Sequence, residues 1–196
     1  MAEFAQAISL LMVLEARIWS SVSTDLGGET YAGISRVYWG HHPVWEKIDA
    51  AKKRVSDRIG HKAGPSDWKE ITKELDKDEV LQRMVDDFYN EWWKAMYLAD
   101  IKSQRVAFFI FQAAVNFGTE KVSKWAQAAC LTNGKQVVMG GVLGPKTIAA
   151  INSIPEQDYL FDLVTLQRHG YLMSILNDPT QIANKRGWER RIQKSL

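Results

Sequence analysis

The spacing of apolar side chains reads as helix over most of the chain, with one interruption near the start. Residues 3–20 carry Phe4, Ile8, Leu11, Met12, Leu14, Ile18 and Trp19 close to helical spacing, which predicts a first helix ending near Ser20. Residues 21–40 differ: Gly27, Gly28, Gly33 and Gly40 punctuate a polar stretch, and the β-prone run 34–39 predicts a loop with a small β-hairpin. Helical periodicity returns at Pro43 and runs to about residue 57 before Gly60 and Gly64-Pro65 break it, and Ser66 reads as the next N-cap.

The strongest amphipathic pattern covers residues 78–100, where Val80, Leu81, Met84, Val85, Phe88, Trp92, Ala95 and Met96 share one stripe. Ser103 opens a further helix whose segment 106–115 is apolar nearly all round, as a central helix wrapped by others would be. It stops at Asn116-Phe117-Gly118. More helices are expected at 119–131, from Gly144-Pro145 to residue 151, at 156–176 and at 181–193. The expected fold is therefore mainly α, a helical bundle around a central apolar helix with one small β-hairpin. No internal repeat or long linker separates its halves, which predicts that they pack together.

Composition narrows the function classes. The 196 residues are 46% hydrophobic and 24% charged, with 25 basic and 23 acidic side chains, so a net charge of +2 gives no argument for nucleic acid. The lone Cys130 lies in the apolar run 125–131, where a buried thiol is expected and no disulfide within the chain is possible. Residues 1–14 hold Glu3 and no Lys or Arg, unlike the basic start of a secretory signal, and read as an amphipathic helix. The stretch 106–115 is about half of the roughly 20 residues a membrane span requires. His41 and His42 are adjacent, and His61 and His169 lack paired ligands, so no metal is predicted. No phosphate loop or nucleophile elbow is present, and no cofactor is expected.

The unusual polar residue is Glu15, near the end of an apolar helix and followed by Asp25, Gly27, Gly28 and Thr30 where a hairpin begins. Such a hairpin folds a second polar cluster back over the first. Apolar neighbours such as Leu14, Ile18 and Trp19 favour the protonated carboxyl that a general acid needs, and a second carboxylate or a water-holding hydroxyl would complete the apparatus of glycoside hydrolysis. The competing reading puts Glu15 on a solvated face next to Arg17 and gives the glycines to a turn. Glu29 is expected at the surface.

The stretch Leu14-Glu15 followed by Asp25-Leu26-Gly27-Gly28-Glu29-Thr30-Tyr31-Ala32-Gly33-Ile34-Ser35 resembles the signature of glycoside hydrolase family 108, N-acetylmuramidases that include phage-type endolysins and proteins labelled secretion activators. The second half resembles the predicted peptidoglycan-binding module found behind that signature: Gln112 to Gly118, then Lys124-Trp125-Ala126-Gln127, Gly141 to Ile148, and Gly187-Trp188-Glu189-Arg190-Arg191 follow in the module's order. The resemblance implies a lysozyme-like α+β fold, with a catalytic region at 1–100 and a peptidoglycan-binding-like region at 101–196 packed against it as one compact unit. Trp188 with Arg190 or Arg191 would pack back on the catalytic region.

It also implies chemistry. Glu15 would protonate the β-1,4 oxygen between N-acetylmuramic acid and N-acetylglucosamine in an inverting reaction, and Thr30 with Asp25 would hold or activate the water. Tyr31, Gln112 and Asn116 would contact the glycan, although Tyr31 fits a core position and Asn116 fits a helix stop equally well. The implied partner is the peptidoglycan glycan strand, bound by a monomer without nucleic acid or stable membrane insertion. The protein would be made in the cytoplasm without a classical signal peptide and act in the periplasm or cell wall after holin- or secretion-dependent export. The sequence departs from the family pattern at several points: Ala16 and Arg17 stand where relatives usually have Gly-Gly, Trp19 falls close to the expected tyrosine, Leu26 replaces proline, the interval from Glu15 to Asp25 is one residue longer than common, and Gln112 occupies a position that is often acidic. An alternative reading is thus a catalytically weak or inactive peptidoglycan-binding secretion-accessory protein.

Overall fold

The computed structural model describes residues 1–21 and 28–176. The expected helix at 181–193, Trp188, Arg190 and Arg191 lie outside the described residues, as does Asp25. The described chain is mainly helical with one three-stranded antiparallel sheet, the lysozyme-like α+β class. It divides into two compact units, one of residues 8–90 and one of residues 1–7 with 91–196.

The unit of residues 8–90, here the sheet unit, takes the last part of helix α1 (Phe4–Glu15). Ala7, Ile8 and Leu11 form its buried face. The helix ends five residues before the expected Ser20, because Ala16 adopts φ 57° and Trp19–Ser21 becomes strand β1. A left-handed residue after the last turn is a common helix terminator. The spacing of Ile18 and Trp19 fits a helix and a strand equally, and pairing with the next strand decides it.

Strand β2 (Glu29–Tyr31) pairs with β1 on one side and with β3 (Ile34–Ser35) on the other. The registers Trp19↔Tyr31 and Tyr31↔Ile34 place three large side chains on one face, and all three are buried. The registers Ser20↔Thr30 and Thr30↔Ser35 place three hydroxyls in a row on the other face. The β2–β3 connection is the two-residue loop Ala32-Gly33, with φ 50° and 81°, the positive pair of a type I′ turn.

The expected strand 34–39 stops at Ser35 and continues as the short helix α2 (Arg36–Trp39). Continued pairing would set Arg36 opposite Glu29. Instead the two side chains form an ion pair, Nε to Oε2 at 2.9 Å, as the backbone turns away. Helix α3 (Val44–Ile59) follows, buried through Val44, Trp45, Ile48, Ala51 and Val55. Ser66 sits inside a 3-10 turn rather than capping a helix, and Gly64 and Asp67 cap that turn. Helix α4 (Trp68–Leu75) packs on α3, where Arg54, Lys77 and Arg58 converge on Glu74 and hold its carboxyl down at about 2.

Helix α5 (Glu79–Ala95) confirms the strongest amphipathic pattern but turns its face slightly. Leu81, Val85, Phe88, Tyr89, Trp93 and Met96 are buried, whereas Val80 is exposed.

In the other unit, here the helical unit, Ser103 caps helix α6 (Gln104–Phe117), its Oγ accepting from the Val106 amide at 3.3 Å. As expected of a central helix, eight of its residues are buried, and it packs on α7 (Thr119–Thr132) and α9 (Gln157–Leu176). Ring contacts Phe109–Phe161 at 4.7 Å and Trp93–Phe111 at 5.3 Å fill this core. Burial pushes the Cys130 thiol up to about 11. The glycine-containing connection is tied down by buried Gln127, whose Nε2 donates to the Val142 carbonyl and whose Oε1 accepts from the Gly141 amide. Helix α8 (Pro145–Asn152) begins at the expected proline.

Candidate active site

Glu15 is the last residue of α1, so the left-handed Ala16 directs the chain away just beyond its carboxyl group. Gly33 of the type I′ turn lies alongside. A Cβ placed there would meet Glu15 Oε2 at 3.4 Å and Tyr89 Oη at 2.7 Å. Glycine is thus required both for its φ of 81° and for the close approach of these two groups. Gly33 itself is exposed and Glu15 is partly exposed beside it.

Tyr89 is buried on α5 and donates its hydroxyl hydrogen to the Ala32 carbonyl at 2.7 Å. This bond holds the strained first residue of the turn. Gln82, two turns earlier on α5, donates from Nε2 to Tyr31 Oη at 2.9 Å. Between them, Asp86 pairs with the Arg17 guanidinium, which also donates to Gln82 Oε1. Positions 82, 86 and 89 fall on one helical face, so a single stripe of α5 pins the segment after α1 and the β2–β3 turn. Arg17 had been expected to lie on a helix near Glu15. It lies beyond the helix end, with its charge matched by Asp86.

Thr30 sits at the centre of β2, its Oγ1 2.7 Å from Ser20 Oγ. Glu29 was expected at the surface, but its carboxylate is only 14% exposed. It accepts from Trp19 Nε1 and pairs with Lys52 Nζ at 2.7 Å and with Arg36. These partners lie on β1, α3 and α2, so Glu29 ties the sheet to three elements. Tyr31 has a fully buried ring on the inner face, and burial raises its phenol pKa. Of its two sequence readings, the structure places it in the core.

Gln112 and Asn116 belong to the helical unit. Gln112 is buried, and its Oε1 accepts from Arg168 Nη1 at 3.1 Å. Asn116 donates from Nδ2 to the Gln112 carbonyl at 2.8 Å, one turn back on α6. A cleft of about 440 Å³ opens elsewhere in the sheet unit, lined by Arg54, Glu74, Lys77, Asp78, Glu79, Val80 and Arg83, and it includes none of the candidate residues. Among the described residues no group of three His, Cys, Asp or Glu is placed to hold a metal ion.

Sequence reasoning missed Tyr89, Gln82 and Ser20. Their signal is faint: polar groups at the edge of an apolar stripe, and a serine opposite a threonine in a register that sequence does not reveal.

The glycosyl hydrolase 108 family model matches residues 9–118, and the predicted peptidoglycan domain model matches residues 121–193. Among solved structures, one described as the structure of Brucella abortus SagA is similar in fold, with a TM-score of 0.61 and 21% identity over 98% of this chain and 90% of that one. A comparison with curated protein sequences returned no match.

Proposed function

Because the chain belongs to the glycosyl hydrolase 108 family and is a peptidoglycan hydrolase, we propose that it is an inverting N-acetylmuramidase in which Glu15 is the general acid. The observation that carries this reading is the partly exposed Glu15, whose carboxyl lies beside the exposed Gly33 of the β2–β3 turn. Tyr89, the nearby phenol, commits its hydrogen to the Ala32 carbonyl, so the carboxyl is the proton source of the pair.

In this mechanism the Glu15 proton passes to the glycosidic oxygen as the bond to C1 of N-acetylmuramic acid breaks. Water adds to C1 from the opposite ring face and leaves a muramic acid reducing end of inverted configuration. Thr30 orients that water through its hydroxyl, and Asp25 accepts the proton that the water loses. That proton returns through solvent to Glu15 for the next turnover. Among the described residues no helix is long and apolar enough to cross a membrane, and we place the action at the cell wall after holin- or secretion-dependent export.

The test is clearing of purified peptidoglycan by the wild type and by Glu15→Gln, with product reducing ends identified and their anomer followed by NMR. The expected result is muramic acid reducing ends, formed first as the inverted anomer, and a loss of about 10²-fold or more in a folded Glu15→Gln. Wild-type clearing rates in that variant would overturn the assignment of the acid. A wild type that binds sacculi without clearing them would favour the accessory reading.

A further inference from the structure

The described rings at the foot of the hairpin form a connected series that begins beside Glu15. The hydroxyl of Tyr89 flanks Gly33 together with the Glu15 carboxyl. The Tyr89 ring meets Phe88 at 5.1 Å and 81°, and Phe88 meets Trp39 at 5.1 Å and 82°. His41 lies 6.2 Å beyond Trp39, and His42 packs on Phe88 at 5.3 Å. Phe88 is buried, Trp39 is partly exposed, and the neighbouring Tyr38 is 67% exposed. The series therefore runs from the interior to an aromatic surface on α2, four residues after the strand that follows the Gly33 turn.

The backbone that follows Trp39 is tied down by local hydrogen bonds. The His42 amide donates to the Trp39 carbonyl at 2.9 Å, and the Trp45 amide donates to the His42 carbonyl at 3.1 Å. The Val44 amide donates to His42 Nδ1 at 3.3 Å, which assigns the ring hydrogen of neutral His42 to Nε2. Burial, with the adjacent His41, lowers the His42 pKa and favours that neutral form. Packing needs of the unit explain Phe88 and the inner edge of Trp39, but not the solvent-facing phenol of Tyr38 beside it.

A flat ring held by its neighbour and open to water on one side, as Trp39 is against Phe88, is what the apolar C–H face of a pyranose requires, because stacking on it removes apolar area from water at little ordering cost. We propose that Tyr38 and Trp39 form a stacking subsite for an N-acetylhexosamine ring of the glycan strand, away from the bond being cleaved. His42 Nε2–H supplies a hydrogen-bond donor for a hydroxyl or acetamido oxygen of the same sugar. This inference rests on the muramidase reading above. Under it, part of the binding energy comes from a ring remote from Glu15, and the subsite selects for strand length.

Two readouts test it. The affinity of Glu15→Gln for chitohexaose is measured by calorimetry with and without Tyr38→Ala, Trp39→Ala and Trp39→Phe. Steady-state kinetics on soluble glycan strands are run with the same substitutions in the otherwise wild-type chain. Tyr38→Ala and Trp39→Ala are each expected to raise Kd and KM about tenfold, with the loss falling on KM rather than kcat, and Trp39→Phe to restore most of it. Because Trp39 also touches Phe88, Tyr38→Ala decides the matter if Trp39→Ala fails to fold. Unchanged Kd and KM in a folded Tyr38→Ala overturn the subsite, whatever Glu15→Gln does to turnover. Turnover retained by Glu15→Gln overturns the acid assignment and leaves the affinity measurements to decide the subsite on their own.

Discussion

In the sheet unit, Glu29 meets three partners and stays 14% exposed, whereas in the helical unit Arg168 has no exposed surface and lies 5.5 Å from the ring centres of both Phe109 and Phe117. The contrast follows from what each unit has to hold. Strands of three, three and two residues carry few backbone hydrogen bonds, and such a small sheet is marginal without help. Side chains from α2, α3 and α5 supply that help through Arg36, Lys52, Gln82 and Tyr89. The helical unit places α6 by apolar packing and needs only isolated polar fastenings such as Gln112 with Arg168. Where backbone must hold a positive-φ turn beside a reactive carboxyl, polar pins fix geometry that packing alone would leave loose.

The largest expected effect tests the helical side of this contrast. Arg168→Ala removes a fully buried side chain, its ring contacts and the donor facing Gln112 Oε1. A loss of about 3 kcal/mol is expected from the cavity and the stranded acceptor together, read by thermal or urea unfolding. High salt should not change it, since the site excludes solvent. A loss under about 1 kcal/mol would show that the buried guanidinium is incidental to the packing of α6 against α9.

Glu29→Gln tests the sheet side at a smaller scale. The amide oxygen can still accept from Trp19 Nε1, but the charge facing Lys52 and Arg36 is gone. Both partners are partly exposed, so a loss of about 1 kcal/mol is expected at low salt, shrinking toward zero near 1 M salt as the Debye length falls to about 3 Å. A salt-independent loss would place Glu29 with Arg168 as a buried fastening and remove the distinction drawn between the units.

The same contrast separates what sequence reveals from what it hides. Helix α5, the apolar α6 and the Gly144-Pro145 start of α8 follow from local periodicity and stop signals, and each was legible. The small antiparallel sheet after α1 was legible through the glycine-punctuated stretch 21–40. The polar pins were not, because each joins residues far apart in the chain: Tyr89 reaches Ala32 across 57 positions and Arg17 reaches Asp86 across 69. The early end of α1 was hidden for a different reason. Ile18 and Trp19 satisfy both periods, and only the pairing of Trp19 with Tyr31 selects the strand.

That helix end gives the smallest and most specific test. Ala16 holds φ 57° while its amide donates to the Met12 carbonyl at 3.1 Å, the last bond of the α1 ladder. For a residue with a Cβ this conformation costs about 1–2 kcal/mol, and glycine adopts it without that cost. A glycine at this position would therefore serve as a helix terminator. Glycine also gains entropy in the unfolded chain, roughly 0.5–1 kcal/mol, which offsets part of the relief. Ala16→Gly should then stabilise the protein by about 0.5–1 kcal/mol, a rise of roughly 1–4 °C in Tm for a chain of this size. Ala16→Val should lower Tm, because a β-branched side chain tolerates left-handed backbone less well than alanine. Should Ala16→Gly lower Tm instead, the alanine methyl contributes packing that outweighs the strain, and the helix end would be held by apolar contact in the manner of the helical unit rather than by backbone geometry.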